Sequence, residues 1–82
     1  MNRFRFTEAA GADLRRIDRE QAMNILLALT RFGNTGEGDV KQLKGSKDFR
    51  LRVGDYRVRM RSLNYGTIRI AQVKHRREAY PD

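Results

Sequence analysis

Four arginines flank a Gly-Asp pair in the stretch FRLRVGDYRVRM, residues 49–60, at Arg50, Arg52, Arg57 and Arg59. A two-residue connection with glycine first suits a type II′ hairpin turn. That turn predicts the register: Val53 faces Tyr56, Leu51 faces Val58 and Phe49 faces Met60 on an apolar side. On the other side Arg52 stands opposite Arg57, and Arg50 opposite Arg59. Like charges directly opposite on a sheet are unfavourable by up to about 1 kcal/mol per pair. Guanidinium groups are planar donor forks that match phosphate oxygens, and an arriving anion relieves their repulsion. The pattern therefore reads as a preorganised anion site.

A second group of chemically able residues is HRREAY, His75 to Tyr80, which holds the chain's only imidazole. Imidazole exchanges protons near neutral pH, and a tyrosine ring stacks on an unpaired base. Other chemistries find little support. One His, no Cys and scattered acids make no transition-metal site. Ser46 and Ser62 sit in no nucleophile elbow. The glycines of residues 33–39, GNTGEGD, fit neither the dinucleotide fingerprint nor the P-loop, so this segment reads as a linker. No metal and no cofactor is expected.

The elements that position these residues follow from periodicity. NRFRF, residues 2–6, alternates as a short strand. Thr7 caps a first helix with Ala10, Leu14 and Ile17 on one stripe, weakened by Gly11. Asp18 and Gln21 resemble a capping box ahead of Ala22, Ile25, Leu26, Leu29 and Phe32, and Gly33 offers a stop. A basic stretch, Lys41 to Lys47, leads into the hairpin, and residues 67–74 form a last strand. Its alternation breaks between Ile70 and Ala71, which suggests a bulge or a strand covered on both sides. The expected fold is α+β in two layers: an N-terminal strand, a helical hairpin and a three-stranded antiparallel meander (β-α-α-β-β-β).

At 82 residues the chain has room for one domain, residues 1–82. Its net charge of +8 is segregated. Residues 1–40 hold six Lys/Arg against six Asp/Glu, and the remainder holds twelve against four. All of the excess thus lies beside the arginine hairpin, which favours a polyanionic partner. The helical half is neutral, which argues against a membrane-surface role, and no apolar run approaches the length of a membrane span. Without cysteine or an apolar signal segment, the expectation is a soluble protein of the cytoplasm.

LKG (43–45), RLRVGDYRVR (50–59) and VKHRREAY (73–80), placed after two helices, resemble the RelE side of the RelE/ParE family of bacterial type II toxins. The resemblance spans essentially the whole chain. It implies a ribosome-dependent endoribonuclease that cuts mRNA, inhibits translation and is neutralised by a co-encoded antitoxin, with mRNA, ribosome and antitoxin as partners. Arg50 and Arg52 match the first basic catalytic positions, Arg57 the phosphate-stabilising arginine, Arg76 the later active-site arginine and Tyr80 the C-terminal tyrosine. Lys41, Lys44, Lys47, Arg59 and Arg77 are expected to contact RNA. Some members carry lysine where Arg50 and Arg52 stand. Arginine does not surrender its proton, so the general base is open and His75 is the candidate. The implied reaction is attack of a 2′-hydroxyl on the adjacent phosphate without metal. Two other readings follow from the same resemblance: a ParE-like inhibitor of DNA gyrase, and a catalytically silent RNA- or antitoxin-binding module.

Overall fold

A computed structural model of the chain describes residues 3–79. The elements are β1 (Arg3–Phe6), α1 (Glu8–Arg16), α2 (Arg19–Thr35), β2 (Asp39–Gln42), β3 (Phe49–Val53), β4 (Tyr56–Ser62) and β5 (Thr67–His75). They build one sheet in the order β1-β5-β4-β3-β2, with β1 parallel to β5 and the other pairs antiparallel.

Three local expectations are corrected. Residues 39–42, DVKQ, which straddle the end of the expected linker and the start of the basic stretch, form an edge strand on β3. All four are exposed, so they carry none of the alternation that betrays a half-buried strand. The second helix does not stop at Gly33, which is buried inside it. It ends at Gly36, whose φ of +75° is the left-handed cap that glycine adopts without penalty. Leu26, placed on the buried stripe by periodicity, is 37% exposed.

The helices cover one face of the sheet. Ile25 and Leu29 of α2 and Ala10 of α1 meet Leu51, Val58, Met60, Ile68, Ile70 and Val73, and Phe32 packs tilted against Phe49 at 6.1 Å. Each fully buried aliphatic side chain of this kind contributes about 1.5–3 kcal/mol. The expected bulge is in β5: Arg59 pairs with Gln72 and Met60 with Ile70, leaving Ala71 over. The extra residue shifts the alternation by one, so that Ile68, Ile70 and Val73 all face the helices.

β1 pairs with β5 only as far as Ile70. Beyond that point α1 closes the edge. Thr7 accepts the Ala10 amide at 3.1 Å as the helix cap and donates its hydroxyl to the Ala71 carbonyl at 2.8 Å. One and a half turns on, Asp13 accepts the Val73 amide at 2.9 Å. Side chains of a helix thus take the place of a missing strand along the segment that leads into His75.

Candidate nucleic-acid interface

The face of the sheet away from the helices carries the arginines. Arg52 pairs with Arg57 and Arg50 with Arg59, as the turn required. Gly54 has φ +58° while Asp55 does not share the positive φ, which is the type II′ pattern. Arg57 folds back over this turn, donating from Nη1 to the carbonyls of Gly54 at 3.1 Å and Tyr56 at 3.2 Å. Arg76 joins the same place from the end of β5. Its amide donates to the Asp55 carbonyl at 2.7 Å, and its Nε lies 3.9 Å from Asp55 Oδ1. The turn therefore gathers Arg52, Arg57 and Arg76 at one end of the sheet.

Arg50 and Arg59 are differently placed. Arg50 is only 8% exposed and donates from Nη1 to the Asp39 carbonyl at 3.0 Å and to Asp39 Oδ1 at 3.2 Å. Arg59 Nε meets Asp48 Oδ2 at 2.6 Å, and Arg61 Nε meets Oδ1 of the same carboxylate at 2.5 Å. Burial pushes the Asp48 carboxyl up, but the hydrogen bonds and charges of Arg59 and Arg61 outweigh it and hold the group below its ordinary value. The four arginines are thus not one open quartet. Carboxylates from β2 and from the residue before β3 relieve the Arg50–Arg59 pair, and the more accessible pair is Arg52–Arg57.

His75 does not join the arginines. It is the cross-strand partner of Tyr56 and shares its side of the sheet, where the two rings meet edge to face at 5.4 Å. Its Nδ1 accepts the Arg77 amide at 3.2 Å, so in the neutral ring Nε2 carries the proton. Asp13, Lys74 and Glu78 share a hollow of about 400 Å³ with it beside α1. Tyr80 lies outside the described residues.

Lys41 faces Arg50 from β2, Lys44 and Lys47 are exposed in the loop before β3, and Arg77 is exposed after β5. Sequence reasoning passed over Lys74, Arg61, Arg69, Arg3 and Arg5. Lys74 is the cross-strand partner of Arg57, but its Nζ is drawn 2.9 Å to Asp13 Oδ1. Arg5 pairs with Arg69, and Arg69 with Arg61, extending the basic face to β1. The alternation of NRFRF held that signal, but only the parallel pairing of β1 with β5 brings it here. Among the described residues, no three His, Asp or Glu side chains gather where they could hold a metal ion. What this face can do is bind anions and stabilise charge developing on one.

The model of one protein family, the ParE toxin of type II toxin–antitoxin systems (parDE), matches residues 4–80. The chain belongs to this family. Solved relatives of this toxin share its fold. A chain of the RelB–RelE antitoxin–toxin complex from Methanococcus jannaschii is 27% identical, covers 88% of this toxin and 89% of its own length, and superposes with a TM-score of 0.72. The archaeal RelE–RelB complex from Pyrococcus horikoshii OT3 contributes a chain at 24% identity, covering 95% and 98%, with a TM-score of 0.75. The intact E. coli RelBE toxin–antitoxin complex matches at 15% identity, 92% and 96% coverage and a TM-score of 0.73; this match and the one from Pyrococcus speak to the fold alone. Among curated proteins none matches the sequence significantly. No helix among the described residues is long and apolar enough to cross a membrane.

Proposed function

We propose that this ParE-family toxin is a ribosome-dependent mRNA endoribonuclease. The observation that carries the reading is the gathering of Arg52, Arg57 and Arg76 around the Gly54-Asp55 turn, at one end of the arginine-bearing face of the sheet. In the proposed reaction the 2′-hydroxyl of one nucleotide attacks its own 3′-phosphate. The 2′-hydroxyl gives its proton to water as the O2′–P bond forms, and the departing O5′ takes a proton from water as the P–O5′ bond breaks, leaving a 2′,3′-cyclic phosphate and a 5′-hydroxyl. Arg57 and Arg76 stabilise the charge on the phosphorane, Arg52 holds the neighbouring phosphate, and Tyr80 stacks on a base. Arg50 and Arg59 support this face through Asp39 and Asp48. His75, turned to the other side of the sheet, is not placed to take the proton. Asp48, on the arginine side, is held by Arg59 and Arg61 in its charged, weakly basic form. The catalytic contribution of the toxin is therefore electrostatic stabilisation and positioning. Translating ribosomes put this activity in the cytoplasm.

A cognate antitoxin is the proposed protein partner, since the structural relatives above come from antitoxin–toxin complexes. Charge complementarity calls for an acidic, amphipathic segment laid over the basic face. A second reading, inhibition of DNA gyrase, is favoured by the match to the ParE model over residues 4–80. The two are separated by incubating purified toxin with translating ribosomes and a defined mRNA, and in parallel with gyrase and relaxed plasmid. New mRNA 5′ ends with unimpaired supercoiling support the nuclease. Intact mRNA with arrested supercoiling supports the gyrase reading.

A further inference from the structure

The same face carries a second concentration of positive charge, at the end of the sheet away from the Gly54-Asp55 turn. Arg3 and Arg5 of β1, Lys47 and Arg61 line a concavity of about 680 Å³ with Tyr65 of the β4–β5 turn, and none of the lining residues is acidic. Arg61 is held by Asp48 at 2.5 Å yet keeps 38% of its side chain exposed. Tyr65 is 100% exposed and sits at φ +61°, next to Gly66 at φ +68°. A bulky residue in the left-handed region is an outlier, where Gly or Asn fits better. Folding does not explain it, because the fully exposed ring buries nothing. A ring held out in solvent beside a cationic hollow has the form of a stacking platform.

Cations that hold phosphates next to an aromatic face match a single-stranded polynucleotide, whose bases are free to stack, rather than a duplex. We propose that this concavity is a second RNA contact, in which Arg3, Arg5 and Lys47 hold backbone phosphates and Tyr65 stacks one unpaired base. Arg57 and Arg61 lie on the same face of β4, four residues or about 13 Å apart. One strand running across the sheet can therefore touch the turn and this concavity together. The proposal rests on the RNA reading above and extends it by giving the substrate strand a path.

The test is the affinity of purified toxin for a short, unstructured, fluorescein-labelled single-stranded RNA, followed by anisotropy over a series of salt concentrations. Tyr65→Asn removes the ring while suiting the left-handed backbone, so its thermal stability should equal or exceed the parent's. It should bind roughly tenfold more weakly, whereas Tyr65→Phe should bind as the parent does. Arg5→Ala combined with Lys47→Ala should flatten the slope of log affinity against log salt by about 1.4, at ~0.7 for each phosphate contact on a single strand. No RNA binding by the parent, or parental affinity and salt slope in these variants, overturns the proposal. The ribosome assay distinguishes the two readings. A parent that cuts mRNA while the variants bind like it removes this site alone. A parent that does not cut, with variants that lose affinity, removes the nuclease and leaves the site.

Discussion

The Asp13 carboxylate of α1 accepts the Val73 amide of β5 at 2.9 Å, in the stretch of β5 that β1 does not reach. The same carboxylate meets Lys74 Nζ at 2.9 Å and Arg16 Nη2 at 2.6 Å. It therefore anchors the strand whose end delivers His75 and Arg76. Asp13 is 4% exposed, so an alternative partner from water is largely denied to the Val73 amide.

Asp13→Ala should therefore destabilise the fold by about 2–3 kcal/mol, since it leaves a buried amide unsatisfied and a cation without its partner. In a domain of this size that corresponds to a fall in Tm on the order of 10–20 °C. Asp13→Asn, which keeps an oxygen for the Val73 amide, should lose less. Thermal unfolding by circular dichroism checks both, and equal losses would mean that the charge rather than the amide contact matters.

Acid should reveal Asp13 and Asp48 together. Burial alone raises the Asp13 carboxyl, but hydrogen bonds from Lys74, the Val73 amide and Arg16 outweigh it and leave the group below its ordinary 3.8. Asp48 is lowered in the same way by Arg59 and Arg61. A carboxyl with a lower pKa in the folded than in the unfolded state adds stability that is complete above the unfolded value. That stability is lost as pH falls through the folded one. Unfolding free energy should be flat above about pH 5 and drop steeply below about pH 4. Asp13→Asn and Asp48→Asn should each reduce that drop, as denaturant titrations at several pH values will show.

Arg57→Ala and Arg52→Ala should fold normally, because both side chains lie on the face away from the helices and the core. Each should slow mRNA cleavage by roughly 10²–10³-fold, the range for losing one preorganised charge-stabilising donor. Single-turnover cleavage rates measure this. A variant of either kind that still cuts at the parental rate would show that the reacting phosphate sits elsewhere.

His75→Gln should leave cleavage far closer to the parental rate than the roughly 10²–10⁴-fold loss expected on removal of a general base. The imidazole meets the Tyr56 ring edge to face at 5.4 Å, on the side of the sheet away from Arg52 and Arg57. A loss within that range would mean that the C-terminal segment rearranges on the substrate and brings His75 across.

Much of this was legible from short-range signals. The Gly54-Asp55 turn fixes the β3–β4 register unaided, because a two-residue loop admits one pairing of its flanks. The break at Ala71 announced the bulge, since three buried residues of β5 cannot otherwise share one face. What stayed hidden depends on partners distant in sequence. Asp39 and Asp48 neutralise Arg50 and Arg59 from outside the hairpin, so the hairpin alone suggested four equivalent arginines. β2 hid because an edge strand exposed on both faces has no period to read. His75 was grouped with Arg76 by adjacency, but successive residues of a strand point to opposite faces. Alternation carried from Val73 would have placed it with the core.

If the arginines at the Gly54-Asp55 turn stabilise cleavage of RNA by its own 2′-hydroxyl, removing one of them must remove the cut. The most direct measurement maps the ends of a defined mRNA after incubation with translating ribosomes and either the parent toxin or Arg57→Ala. New 5′-hydroxyl ends matched by 2′,3′-cyclic phosphates are expected for the parent, and none for the variant at the same exposure. Intact mRNA with the parent, or cuts that persist unchanged with Arg57→Ala, would contradict this role of the arginines.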